Sequence, residues 1–202
     1  CTSIKRIEIS SSSSLVSIGK YAFYECTSLL EIKIPPSVET IGIYSFSKCS
    51  SLTEITIPSS VTSIGGGSFS DCLKIQKIVI NAPIKIIDYN CFSGCNSLVE
   101  ISIPRYVYKI GKEAFNKCNS MLNVTIYSSK INIDETAFKY CKILAKIEYL
   151  KPVIINNRQF FLKNKDIRQN WILKWMYISL FLFIIYILLK NHFFNKHGIF
   201  LI

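Results

Sequence analysis

Residues 26–48 read CTSLLEIKIPPSVETIGIYSFSK, and the reading of this stretch decides the fold. Leu29, Ile32 and Ile34 are its first apolar positions. Ile32–Lys33–Ile34 alternates with the period of a strand, so both isoleucines face one way and Lys33 the other. Pro35 stops the strand, because proline has no N–H to give to a ladder. A second extended piece follows, with Val38 and Ile41 inward. Gly42 begins a third segment that ends in Phe46 and Cys49. The same segment one unit earlier, Lys20–Tyr21–Ala22–Phe23–Tyr24–Glu25–Cys26, is predicted to be a short helix. Gly19 would cap it, and the three-residue spacing would set Phe23 and Cys26 on one face.

Working outward, the pattern returns every 23 residues. Cys26, Cys49, Cys72, Cys95, Cys118 and Cys141 form one column, and Phe23, Phe46, Phe69, Phe92, Phe115 and Phe138 a second. Ile18, Ile41, Ile64, Ile87, Ile110 and Ile133 form a third. Ile9, Ile34, Ile57, Ile80, Ile103, Ile126 and Tyr149 form a fourth, its first step lengthened by the serine run Ser10–Ser14. A fixed period of this size means a stacked array in which one copy cannot bury its own apolar face and its neighbours do so. The cap column reads Gly19, Gly42, Gly65, Asp88, Gly111, Asp134. Asn157 and Phe161 continue the cap and phenylalanine columns, so residues 151–164 read as a degenerate last turn. Residue 1 is a cysteine in mid-unit, which predicts further repeats or a cap upstream, and a signal peptide could precede them.

The unit LxEIxIPxSVxxIGxxxFxxC, seen at 29–49, 52–72 and 98–118, resembles the repeat of the BspA-like leucine-rich-repeat surface antigens. The resemblance covers about residues 1–164 and rests on the IP after the strand, the IG and the F-x-x-C ending. It implies an α/β solenoid: a right-handed leucine-rich-repeat arc of about seven turns, with a concave parallel sheet and short convex helices. It also implies attachment or partner binding at a surface. Asn81 and Tyr127 depart from the proline column, Asp88 and Asp134 from the glycine column, and Lys130 falls in an apolar column.

Composition narrows the function. Half of the 202 residues are hydrophobic, 50%, and mean hydropathy is +0.31, which excludes a disordered chain and requires a concentrated apolar stretch. The net charge of +11 is uneven: +4 over residues 1–150 and +7 over 151–202. A nearly neutral body lacks the basic face that nucleic-acid binding needs. Both histidines, His192 and His197, lie at the extreme C-terminus, so the repeats hold no histidine for a catalytic or metal site. No nucleophile–base–orienter set can be assembled without one, although a carboxylate pair stays open, and the chain reads as a non-enzyme without cofactor or metal. Of the eight cysteines, seven share one column and Cys91 sits in a small-residue column. They read as buried reduced thiols, with a disulfide framework and a metal site at Cys91 and Cys95 as the competing readings. Gly65–Gly66–Gly67 lacks the Lys-Ser/Thr of a phosphate loop and reads as a cap residue followed by two small ones.

Residues alternating with the inward isoleucines face outward. One column reads Arg6, Glu31, Glu54, Lys77, Glu100, Asn123, Lys146, and the next holds Glu8, Lys33, Thr56, Val79, Ser102, Thr125, Glu148. Arg6, Glu31, Lys33, Glu54, Lys77, Glu100 and Lys146 are the candidate partner-facing residues, although a solvated sheet face is an equal reading of these mixed charges. Asn123–Val124–Thr125 is a candidate N-glycosylation site.

Residues 171–189 complete the pattern. The core 175–189 carries no charge, Lys174 can snorkel, and Trp171 and Trp175 suit a membrane interface. Nineteen residues at 1.5 Å each reach about 28 Å, close to a hydrocarbon core of about 30 Å. The expected organisation is a solenoid over 1–164, a linker at 165–170, a transmembrane helix at 171–189 and a tail at 190–202. Two arguments disagree on orientation. Arg158, Lys163, Lys165, Arg168 and Lys174 precede the span core while Lys190 and Lys196 follow it, and the positive-inside rule then puts the repeats in the cytoplasm. The family resemblance puts them outside the cell. The reading taken is a single-pass, membrane-anchored surface protein that binds a protein or glycan. A tail-anchored cytoplasmic scaffold is the alternative, and a fragment without separate function is a third reading.

Overall fold

Alternation of isoleucine with a polar residue makes a half-buried strand, and that strand recurs once per turn. The computed structural model describes residues 2–149. The first turn contributes β1 (Arg6–Ile7) and β2 (Ser17–Ile18), and the second β3 (Glu31–Ile32) and β4 (Thr40–Ile41). The third contributes β5 (Glu54–Ile57) and β6 (Ser63–Ile64), and the fourth β7 (Lys77–Ile80) and β8 (Ile86–Ile87). Then come β9 (Glu100–Ile103) and β10 (Lys109–Ile110), β11 (Asn123–Ile126) and β12 (Asn132–Ile133), and finally β13 (Lys146–Tyr149). All pairing is parallel and joins residues one repeat apart, as in Ile55 opposite Ile78 and Val124 opposite Ile147. Odd-numbered strands stack with odd and even with even, which makes a β-solenoid of about six turns.

The predicted columns become ladders through the core. Ile55, Ile57, Ile101 and Ile103 are buried, while Glu54, Thr56, Glu100 and Ser102 between them are exposed. Neighbouring phenylalanines from Phe23 to Phe138 stack with ring centroids 5.1, 5.3, 5.6, 5.4 and 5.1 Å apart. Strands rise about 4.8 Å per turn, so each ring lies slightly offset over the next, the favoured arrangement for aromatic faces.

The short convex helices are not formed: no α-helix occurs among the described residues. In their place stands a ladder of turns. Tyr21, Tyr44, Gly67, Asn90 and Glu113 have positive φ, as do Glu25, Lys48, Asp71, Gly94, Lys117 and Tyr140. These left-handed residues break helical propagation and aim alternate N–H groups out of the turn. Phe23 N–H donates to the Ser45 carbonyl at 2.7 Å, Glu25 N–H to Ser47 at 2.9 Å, and Phe69 N–H to Cys91 at 2.9 Å. The intervening N–H groups close local turns, as in Tyr24 to the Tyr21 carbonyl and Cys26 to the Phe23 carbonyl. A helix would send these donors four residues back, whereas here half of them cross to the following turn.

On the strand side the bonds outside the ladders run the other way. Leu30 N–H donates back to Lys5, Glu39 N–H to Val16 and Gly42 N–H to Ile18, each at 2.8 Å. The glycine column has its own cause. A Cβ on Gly42 would lie 2.6 Å from the Gly19 carbonyl carbon, and one on Gly65 would lie 2.6 Å from the Ile43 nitrogen. Backbones of successive turns approach closely there, so the column excludes side chains instead of capping a helix. The aspartates in it do cap, but they cap turns: Asp88 Oδ1 accepts from Tyr89 N–H at 2.7 Å and Asp134 Oδ1 from Thr136 N–H at 2.9 Å.

The membrane span expected at 171–189, the linker at 165–170 and the degenerate last turn at 151–164 lie outside the described residues. Among the described residues no helix is long and apolar enough to cross a membrane.

Candidate functional site

The proline column sets the geometry of the exposed strand face. Asn81 follows β7 and donates its N–H to the Ile57 carbonyl at 3.0 Å, and Tyr127 follows β11 and donates to Ile103 at 3.0 Å. The β5–β7 and β9–β11 ladders are four residues long. Pro58 and Pro104 follow β5 and β9 and have no N–H to give. The sheet is interrupted at those two steps, between β3 and β5 and between β7 and β9. Asn81 and Tyr127, departures from the repeat, each add a bond at the end of a four-residue ladder, whereas β1–β3, where Pro35 follows β3, keeps a two-residue ladder. The even-numbered series breaks between β6 and β8. Ser37 and Ser60 donate hydroxyls back to Leu15 and Val38 at 2.8 and 2.7 Å, and Pro83 occupies that position in the next turn.

The outward column stands as predicted in orientation. Arg6, Glu31, Lys33, Glu54, Lys77, Glu100, Asn123 and Lys146 are all exposed. Register sets Arg6 opposite Glu31, Glu54 opposite Lys77, and Asn123 between Glu100 and Lys146. Arg6 Nη2 lies 3.2 Å from Glu31 Oε2, and Lys146 pairs with Glu148 on its own strand. These exposed pairs fix side-chain directions more than they stabilise. Asn123 opens β11 with its side chain free to solvent on the same face.

Each interrupted step is a groove. The one between β3 and β5 has a volume of about 480 Å³ and is lined by Glu31, Lys33, Glu54, Thr56 and Pro58 among others, with no aromatic residue. The one between β7 and β9 has about 630 Å³ and opens onto a hollow of about 640 Å³. The two share Ile80, Asn81, Pro104 and Tyr127, and the hollow adds Arg105, Tyr106 and Ser129. Tyr106 is 53% and Tyr127 46% exposed, and the Arg105 guanidinium lies 5.1 Å from the Tyr106 ring centre. Spacing arguments did not single out this group, although Asn81 and Tyr127 were visible as breaks in the proline column.

A second aromatic group lies on the turn side. Tyr21 and Tyr44 stack at 5.5 Å with an interplanar angle of 6°, and Tyr44 meets Tyr89 edge-on at 6.4 Å. Gly66 and Gly67 make room for it, since a Cβ on either would run into the Tyr89 or Tyr44 ring. This is the role of the last two glycines of the triplet, while Gly65 lies against the backbone of the preceding turn. Lys48 donates to Glu25 at 2.7 Å beside them, and this bond holds the Glu25 carboxyl below and the Lys48 ammonium above their ordinary values.

The seven described cysteines are all buried. They also act as donors, which the column pattern did not reveal. Cys49 Sγ bonds the Phe23 carbonyl at 3.2 Å, Cys72 Sγ bonds Phe46 at 3.2 Å, and Cys141 Sγ bonds Phe115 at 3.1 Å. The Phe23, Phe46, Phe92 and Phe115 carbonyls thus each accept from a backbone N–H within their own turn and from the thiol of the next. Burial pushes the Cys72, Cys91 and Cys95 thiols up and that of Cys49 up to about 12. Protonated, hydrogen-bonded thiols of this kind are poor nucleophiles and poor metal ligands.

The model of the BspA type leucine rich repeat region matches residues 1–99 and 85–195, in 6 copies. The chain belongs to this family. Among solved structures, a leucine rich cell surface protein from Faecalibacterium prausnitzii is 28% identical, with a TM-score of 0.61 over 68% of this chain and 48% of that one. A leucine-rich repeat protein from Eubacterium ventriosum is 26% identical, with a TM-score of 0.64 over 76% of this chain and 41% of that one. The T. pallidum leucine rich repeat protein is 28% identical, with a TM-score of 0.58 over 66% of this chain and 64% of that one. The chain thus spans less than two thirds of each of these BspA-type and leucine-rich-repeat relatives. No curated protein matches it.

Proposed function

We propose that this BspA-type chain is a membrane-anchored surface protein whose solenoid, residues 1–164, mediates adhesion by binding a protein or glycan. Residues 171–189 would span the bilayer, joined by the linker 165–170 and followed by the tail 190–202. The protein acts by presenting side chains, without chemistry and without a cofactor. One observation carries the reading: the parallel ladders hold exposed side chains in register, with grooves where the sheet is interrupted, on a family scaffold that includes a cell surface protein. The positive residues before the span favour the alternative, a tail-anchored scaffold facing the cytoplasm.

Protease shaving of intact cells separates the two. Repeats released before the membrane is opened support surface display. Repeats digested only after permeabilisation remove it and leave the cytoplasmic scaffold. Glycan attached at Asn123 would eliminate the scaffold, since the sequon is read only in the secretory lumen.

A further inference from the structure

The strand face carries a groove at each of the two interrupted steps of the odd-numbered strands, and the two differ in chemistry, so one serves as a control for the other. Both lie beside a proline, Pro58 or Pro104, that has no N–H to give across the step. Only the β7/β9 groove continues into a hollow that gathers two half-exposed tyrosines, an arginine and an amide. We propose that this hollow, built on Asn81, Arg105, Tyr106 and Tyr127, binds a carboxylate-bearing glycan such as a uronic- or sialic-acid chain. The inference rests on the adhesion reading and deepens it by naming the site and ligand class.

Four observations point to that class. The hollow, of about 640 Å³, falls within the 300–1,000 Å³ typical of small-ligand sites and suits a few sugar rings. Tyrosine faces accept the C–H faces of pyranose rings and keep a hydroxyl at the wet edge, as amphipathic aromatics do at recognition sites. Asn81 supplies two donors and an acceptor for sugar hydroxyls, and its backbone N–H is already used by Ile57, so its strand end is fixed. Arg105 carries the hollow's only lining charge, and its guanidinium is held against Tyr106. A planar fork in that position matches a carboxylate in two-point contact. An apolar peptide would need a deeper greasy pocket than these residues make.

The other repeats supply substitutions suited to the fold. Position 105 corresponds to Ser59, position 106 to Ser60 and position 127 to Asn81. The test titrates the full chain in detergent micelles with hexagalacturonate and with 3′-sialyllactose. Their uncharged counterparts, methyl-esterified hexagalacturonate and lactose, and the peptide hexaglutamate serve as comparisons. Binding of one or both acidic sugars, with the neutral forms and the peptide weaker by about ten-fold or more, is the expected result. Arg105→Ser and Tyr127→Asn should each weaken the acidic sugar by about ten-fold while the far-UV spectrum stays unchanged. Which sugar binds tells the two sources apart. No binding of either, equal binding of hexaglutamate, or variants that bind like the parent chain would overturn the proposal. Such an outcome leaves surface display standing, and failure of the shaving experiment leaves this titration standing.

Discussion

Gly65 shows how one missing side chain sets the rise of the stack. Its Cα faces the backbone of the preceding turn, where a Cβ would lie 2.6 Å from the Ile43 nitrogen and 2.9 Å from the Gly42 carbonyl carbon. Neither atom can swing aside as a side chain would. Gly65→Ala should therefore cost about 1–3 kcal/mol, the range for overpacking a well-filled interior. Gly19 has the same place in the first turn with nothing within 4 Å of the added atom, so Gly19→Ala should be close to neutral. Urea unfolding of the two variants checks the contrast, and equal losses would refute the close-approach account. The column itself was legible in sequence. Its reason was not, because glycine before a turn fits a helix cap as well as it fits a backbone contact, and only the position of the preceding turn separates them.

The strand ends depend on one donor each. Asn81 lengthens the β5–β7 ladder through its N–H to Ile57, and its repeat partners Pro58 and Pro104 stand where the ladder breaks. Asn81→Pro restores the commoner residue and should destabilise the protein by about 1 kcal/mol, the net value of one backbone hydrogen bond. Amide exchange should quicken at the end of β7 and leave β9–β11 unchanged; uniform quickening would show that the bond is not local. The F-x-x-C segment teaches the same lesson about legibility. The three-residue spacing of Phe23 and Cys26 is common to a helix and to the observed turns. What decides is that Phe23 N–H finds Ser45, 22 residues away, and no local pattern displays a partner at that distance. By contrast Ile55, Ile57, Phe69 and Cys72 are core because their columns said so, since burial follows alternation and period directly. The hollow lay between these cases: Asn81 and Tyr127 were visible as departures, but they meet at one groove only once the fold sets Pro104 and β9 beside β7.

Five buried thiols, Cys26, Cys49, Cys72, Cys91 and Cys95, give the whole molecule a pH response, while the hydrogen bond between the Cys118 and Cys141 thiols raises the one and lowers the other. Burial raises the folded-state values, to about 12 at Cys49, whereas an unfolded thiol ionises near pH 8.5. Above that pH the unfolded chain sheds protons that the folded chain keeps, so stability falls as pH rises. Below it both states hold the protons and the thiols contribute no slope. Melting temperature should stay level between about pH 7 and 8 and begin to drop between about pH 8.5 and 9.5, before tyrosine and lysine titrate. A level profile through that window would contradict protonated, buried thiols. The stack also differs from a helix in what it does with its peptide groups. Outside the strand ladders, alternate N–H groups on the turn side point toward the following turn, and those that leave the turn on the strand side, such as Leu30, Glu39 and Gly42, point toward the preceding one. Their dipole moments oppose, whereas those of an α-helix add up to partial charges at its ends. Each added turn contributes a nearly self-cancelling pair, so these peptide groups build no electrical poles as the array lengthens, and the field it presents to a partner is set by its side chains.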